Sequence, residues 1–216
     1  MTTLQLPSFS NPFAFLFTGS NSTQPSTAPT NTTSSTPSAN INLGNLKISA
    51  EEQELLLRLI HAEAGGEGKI GMATVAKSIL NRYALVQSGK VKPGEFGAKG
   101  TSLKDIISAS GQYQPWGEGK LKTALSAENQ AKATEALNLA LNPEEFKKAL
   151  QKAGKSASEI KFIETATGFR AKGARPDASQ TGPDKNNVAL GNHTFNTAGN
   201  TQLLAFDHGK LSLANA

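Results

Sequence analysis

Apolar residues recur at helical spacing from about residue 49 onward. Ser49-Ala50-Glu51-Glu52 has the form of a capping box, with Ser at the N-cap and Glu three residues later. In the segment that follows, Glu54 to Ala64, Leu56, Leu59, Ile60 and Glu63 fall at i, i+3, i+4 and i+7, one face of a helix. Gly65-Gly66 predicts its end. A second helix is predicted from about Lys69 to Gln87, with Met72, Val75, Ala76, Ile79, Leu80, Tyr83 and Val86 as its apolar stripe and Gly89 just past its end. Ser102 opens a short helix through Ile106 and Ile107, and Ser126 opens a longer one through Leu141. Asn142-Pro143-Glu144-Glu145 is a further start signal, with a capping residue, Pro at N1 and acids in the first turn. Residues 110–117 read as turn-rich and 168–187 as polar and glycine-bearing. Ile160 to Ile163 suits helix or strand, and Asn192 to Asn196 alternates like a short strand. The fold class expected is mainly α with a little β (α+β).

Charge and composition divide the chain in two. Residues 1–50 carry one charge, Lys47, and from Gly19 to Asn40 18 of 22 residues are Ser, Thr, Asn or Pro. Such a stretch has too little apolar surface to offset the entropy of ordering it. Residues 1–46 are therefore expected to be a low-complexity arm or linker and 47–216 a folded domain. The apolar patch Phe13 to Phe17 stands out in the arm as a candidate docking peptide. The patch is short and no Lys or Arg precedes it, so it predicts no secretory signal. No apolar run reaches the ~18–20 residues of a membrane span.

The 216 residues include no cysteine, which excludes disulfides, a thiol nucleophile and Cys-based metal sites. His61-Ala62-Glu63 has the H-x-E form of zinc deaminases, but their P-C-x-x-C partner is missing. His61, His193 and His208 have no metal-ligand spacing, and no phosphate-binding glycine motif occurs. No metal and no cofactor are expected. The net charge of +5 is spread among many acids rather than gathered in a stripe, so no nucleic-acid partner is expected. A basic surface does suit an anionic polymer.

Glu63 is the informative residue, a carboxylate on an aliphatic stripe. Desolvation raises the pKa of such a group, and a Glu protonated near neutral pH is what a general acid requires. The segments His61-Ala62-Glu63-Ala64-Gly65-Gly66-Glu67-Gly68, Gly71 to Ala76 and Ile79-Leu80-Asn81-Arg82 resemble the opening motif of the spore-cortex-lytic (SleB-type) cell-wall hydrolase family. Gly111-Gln112-Tyr113 is similar to its downstream G-Q-F segment, and Gly191-Asn192-His193-Thr194-Phe195 to its closing G-N-H-x-F. Gly66 stands where the family has Arg, and Tyr113 where it has Phe.

The resemblance implies a lysozyme-like helical domain that cuts peptidoglycan glycan strands between N-acetylmuramic acid and N-acetylglucosamine. Glu63 matches the family's catalytic acid. A lytic transglycosylase needs that carboxyl alone, whereas a hydrolase of the usual kind needs two. Glu67, Gln112, Tyr113, Trp116 and His193 are the expected substrate-binding residues, with Glu67 also the first candidate for a second carboxylate. Asn81 and Arg82 are expected to brace helix packing. The uncharged arm and the missing signal suit a phage virion or lysis enzyme, located in the virion or the host cytoplasm and acting on the periplasmic wall, with virion or tail proteins as partners of the arm. The rival expectation is a virion protein that keeps the fold without activity.

Overall fold

The computed structural model describes residues 46–172 and 187–196. The arm expected over 1–46, its Phe13–Phe17 patch and His208 lie outside the described residues, apart from Leu46 at the arm's edge. Seven helices precede a small sheet: α1 (Ala50–Ala64), α2 (Gly68–Gln87), α3 (Leu103–Ile107), α4 (Gln114–Gly117), α5 (Ala127–Leu141), α6 (Pro143–Lys152) and α7 (Ala157–Ile163). The strands are β1 (Gly168–Ala171), β2 (Val188–Leu190) and β3 (His193–Asn196). The mainly helical class with a little β is the one expected.

Helix starts follow the predicted chemistry. Ser49 Oγ accepts from Glu52 N–H at 3.2 Å, and the Glu52 carboxylate accepts from Ser49 N–H at 3.1 Å. The same carboxylate accepts from Lys104 N–H at 3.1 Å, so one side chain caps α1 and holds α3 beside it. Ser102 and Asp105 form a second reciprocal cap at α3, and Asn142 caps α6 ahead of Pro143.

Helix α2 is the core of the domain, with α1, α3, α5, α6 and β1 packed round it. The predicted stripe is buried, but so are Ala73, Thr74, Ser78, Arg82, Ala84 and Leu85 on the other sides. A helix surrounded on all sides needs small residues and satisfied polar groups rather than a polar face. Thr74 Oγ1 donates to Ile70 O and Ser78 Oγ to Val75 O, each at 2.9 Å, so neither hydroxyl is left unpaired. Ala133, Ala136 and Ala140 of α5, all fully buried, keep the facing surface small as well.

Ile160 to Ile163 is helical, within α7. The segment 110–117, read as turns, contains the short helix α4. The polar stretch from 168 carries strand β1, where no strand was expected. Its order is β1-β3-β2, antiparallel throughout, with β3 central. The two outer strands carry no alternation, so only the central one was legible. Phe169 lies opposite Phe195 and pairs with it at a ring separation of 6.0 Å.

Two adjacent residues of α2 fasten the sheet to the helices. Asn81 Nδ2 donates to Glu164 O and Ala166 O, both at 2.9 Å. Arg82 Nε donates to Thr167 O, one residue before β1. Both thus brace the packing, as expected. Asn81→Ala strips two carbonyls of their donor and is expected to cost about 1–3 kcal/mol. Thermal melts then show a midpoint several degrees lower, at ~2–4 °C per kcal/mol for a chain of this size. An unchanged midpoint contradicts the bracing role.

Candidate functional site

The site is built at the junction of α1 and α2. Leu56, Leu59 and Ile60 of α1 are fully buried, and Glu63 follows on their face one residue before the helix ends. Gly65–Glu67 forms a single 3-10 turn, and α2 begins at Gly68, whose φ of +70° favours glycine. The turn takes Glu67 off the face that carries Glu63, although the two are four residues apart.

Glu63 is partly buried, and burial is the largest influence on it. Its carboxyl is pushed up from 4.5 to about 7, with Lys120 pulling it down and Glu118 pushing it up. Lys120 and Glu118 form an exposed ion pair at 2.6 Å. Hydrogen bonds from Lys120 and Gln114 hold Glu118 below the usual carboxylate range. Arg58 Nη1 donates to Leu121 O at 3.1 Å and so ties α1 to the turn that carries this pair.

The Glu67 side chain is buried against the start of β3. Its Oε1 lies 2.6 Å from His193 Nδ1, with the two side chains only 6 % and 9 % exposed. Its Oε2 accepts from Asn192 N–H at 3.2 Å. Gly71 and Gly191 make this possible, because a Cβ at either would overlap the Glu67 side chain. Glu67 therefore clasps β3 to the α1–α2 junction. His193 in turn meets the edge of the Phe169 ring at 5.2 Å.

The three remaining predictions separate. Gln112 is exposed, and its Oε1 accepts from Arg82 Nη1 at 2.8 Å. Trp116 on α4 is partly buried and packs on the core. Tyr113 is a core residue, 3 % exposed, its ring 6.0 Å from Phe169 and 5.5 Å from the Arg82 guanidinium carbon. Arg82 also lies 5.3 Å from the Phe96 ring. The Tyr113 hydroxyl is buried without a hydrogen-bond partner. Burial pushes its pKa up, Arg82 opposes that, and the Glu63 charge adds to it. Glu63, Tyr113 and Arg82 thus share one neighbourhood, and Phe169 joins it to the Glu67–His193 clasp.

Glu118, Lys120 and Phe169 were missed. The first two sit in an irregular segment with no pattern, and Phe169 sits in a strand too short to read. Arg82 was anticipated as a brace but not as a neighbour of the site. Among the described residues, no cluster of three or more His, Asp or Glu is placed to hold a metal ion. Nor is any described helix long and apolar enough to cross a membrane. Comparison with known protein families, with curated proteins and with solved structures finds no match for the chain.

Proposed function

We propose that this protein cleaves peptidoglycan glycan strands between N-acetylmuramic acid and N-acetylglucosamine, with Glu63 as a single general acid and base on a lysozyme-like helical domain. The observation that carries this reading is a carboxyl held near neutrality by burial at the end of α1, while Glu67 is occupied by His193 and Asn192. The resemblance of three ordered segments to SleB-type hydrolases supports it. Glu63 gives its proton to the glycosidic oxygen as the bond from that oxygen to C1 of the muramic residue breaks. The resulting carboxylate takes the proton of the muramic C6 hydroxyl, whose oxygen bonds to C1. A 1,6-anhydro end is formed and Glu63 is protonated again. The exposed Gln112 and the rim of Trp116 are the residues best placed to meet a sugar. Tyr113 and His193 act from beneath, by supporting other groups. The uncharged N-terminal sequence favours delivery as part of a phage particle or during lysis.

A second reading has its own observation. Glu118 is exposed and held below the usual carboxylate range by Lys120 and Gln114, and its charge helps push the Glu63 carboxyl up to about 7. Two carboxyls pushed apart in this way are the arrangement of a hydrolase. If the reaction takes water, Glu118 replaces Glu67 as the second carboxylate.

The pH profile tests the role of Glu63. The acid works only while protonated, so cleavage is expected to be full below neutrality and to fall as pH rises through about 7. Turbidity loss of purified peptidoglycan from pH 5 to 9 measures this. A rate that keeps rising to pH 9 removes Glu63 as the acid.

A further inference from the structure

An exposed glutamine is ordinarily free to turn either end of its amide outward. Gln112 is exposed but not free. Its Oε1 accepts from Arg82 Nη1 at 2.8 Å. A guanidinium only donates, so the end of the amide that faces it has to be the oxygen. Arg82 is itself fixed, because its Nε donates to Thr167 O and its head lies against the Phe96 and Tyr113 rings. It is only 5 % exposed, and among the described residues no carboxylate pairs with it. The amide nitrogen of Gln112 is the end left over. It stands beside Gly97, where an added Cβ would come to 3.9 Å of it, and it has no acceptor among the described residues. Gly97 and Gly111 are both exposed, and a Cβ at Gly111 would meet nothing within 4 Å. Two N–H bonds of fixed sense thus stand over open backbone.

We propose that Gln112 is a specificity-determining residue, donating from Nε2 to an amide carbonyl of the ligand while Arg82 holds its oxygen inward. This deepens the glycan reading and rests on it for the identity of the ligand. Each N-acetylated sugar of the strand carries an acetamido group, whose carbonyl is the acceptor. The buried charge behind Gln112 polarises its amide, which strengthens the two donors. It also favours an oxygen with partial negative charge over a hydroxyl. Gln112 directly precedes Tyr113, the residue that opens α4, and α4 packs against α1, which carries Glu63 in its last turn. The donor therefore belongs to the part of the fold that adjoins the acid.

Nitrogen–proton NMR on the full chain tests this, with the β-1,4-linked oligomer of N-acetylglucosamine as the probe. The glucose oligomer of the same linkage, which has a hydroxyl in place of each acetamido group, is the control. Gln112→Glu assigns the side-chain amide signal by removing it. That signal is expected to move with the acetylated oligomer and to stay in place with the glucose oligomer. Gln112→Glu keeps an oxygen for Arg82 and loses the donor, so its melting midpoint should hold or rise. Its affinity for the acetylated oligomer should fall about 2–10-fold, the range of one hydrogen bond, with no change for the glucose oligomer. A purely structural role would leave that selectivity where it was. A Gln112 signal unmoved by the acetylated oligomer overturns the proposal. So does equal movement with both oligomers, or a selectivity that survives Gln112→Glu. A chain that binds the acetylated oligomer through Gln112 and leaves peptidoglycan uncut loses the cleavage reading alone. A chain that cuts peptidoglycan while the Gln112 signal stays unmoved loses the Gln112 proposal alone.

Discussion

Glu63→Gln is expected to slow glycan cleavage by ~10²–10⁴-fold, the range lost with a general acid. The amide keeps the size of the side chain but has no proton of the right acidity to give. Stability supplies an independent readout, because the sign can be worked out. In the folded chain burial raises the Glu63 pKa from 4.5 to about 7, so folding favours the protonated form. Below 4.5 the group is neutral in both states and imposes no penalty. As pH rises towards 7, the unfolded chain releases the proton more readily and stability falls. The amide never ionises, so Glu63→Gln should melt higher than the native protein at pH 8 and at nearly the same temperature at pH 4. Thermal melts at the two pH values measure this. A variant that loses activity and melts lower at pH 8 has lost structure rather than an acid.

Gly191→Ala is expected to give the largest loss of stability. Two causes act at one atom. The residue has φ of +58°, where an L side chain costs about 1–2 kcal/mol. Its new Cβ would also overlap the Glu67 carboxylate and drive it from Asn192 N–H and His193. Driving the buried Glu67 side chain from its contacts leaves polar groups unpaired, at a cost of about 1–3 kcal/mol. The melting midpoint should drop by about 10 °C. Gly94→Ala is the control, because an added Cβ there meets nothing within 4 Å and no left-handed φ is involved. A Gly191→Ala melt no lower than that of Gly94→Ala contradicts the clasp.

Local signals made the helices legible. The Ser49–Glu52 box, the Ser102 start and the Asn142-Pro143 start all stand where the sequence put them, since a cap depends only on neighbours three residues apart. The all-round burial of α2 was not legible, because alanine and backbone-bonded threonine or serine fit a buried face as well as a neutral one. Glu63 was found because an acid on an aliphatic stripe breaks a pattern. Glu67 lies four residues on, yet its burial depends on Gly191 and His193, more than 120 positions away, which spacing cannot show. The exposed pair Glu118–Lys120 and the orphaned Tyr113 hydroxyl are likewise products of tertiary packing.

Mass spectrometry of purified peptidoglycan, incubated with the native chain and with Glu63→Gln, tests the central claim most directly. Anhydro-muramic ends made by the native chain, and absent with the variant, are the result expected of a single-acid lytic reaction. Reducing muramic ends, lost again in Glu118→Gln, would contradict the single-acid scheme and put Glu118 in the role of second carboxylate. Intact glycan with both proteins would contradict cleavage altogether.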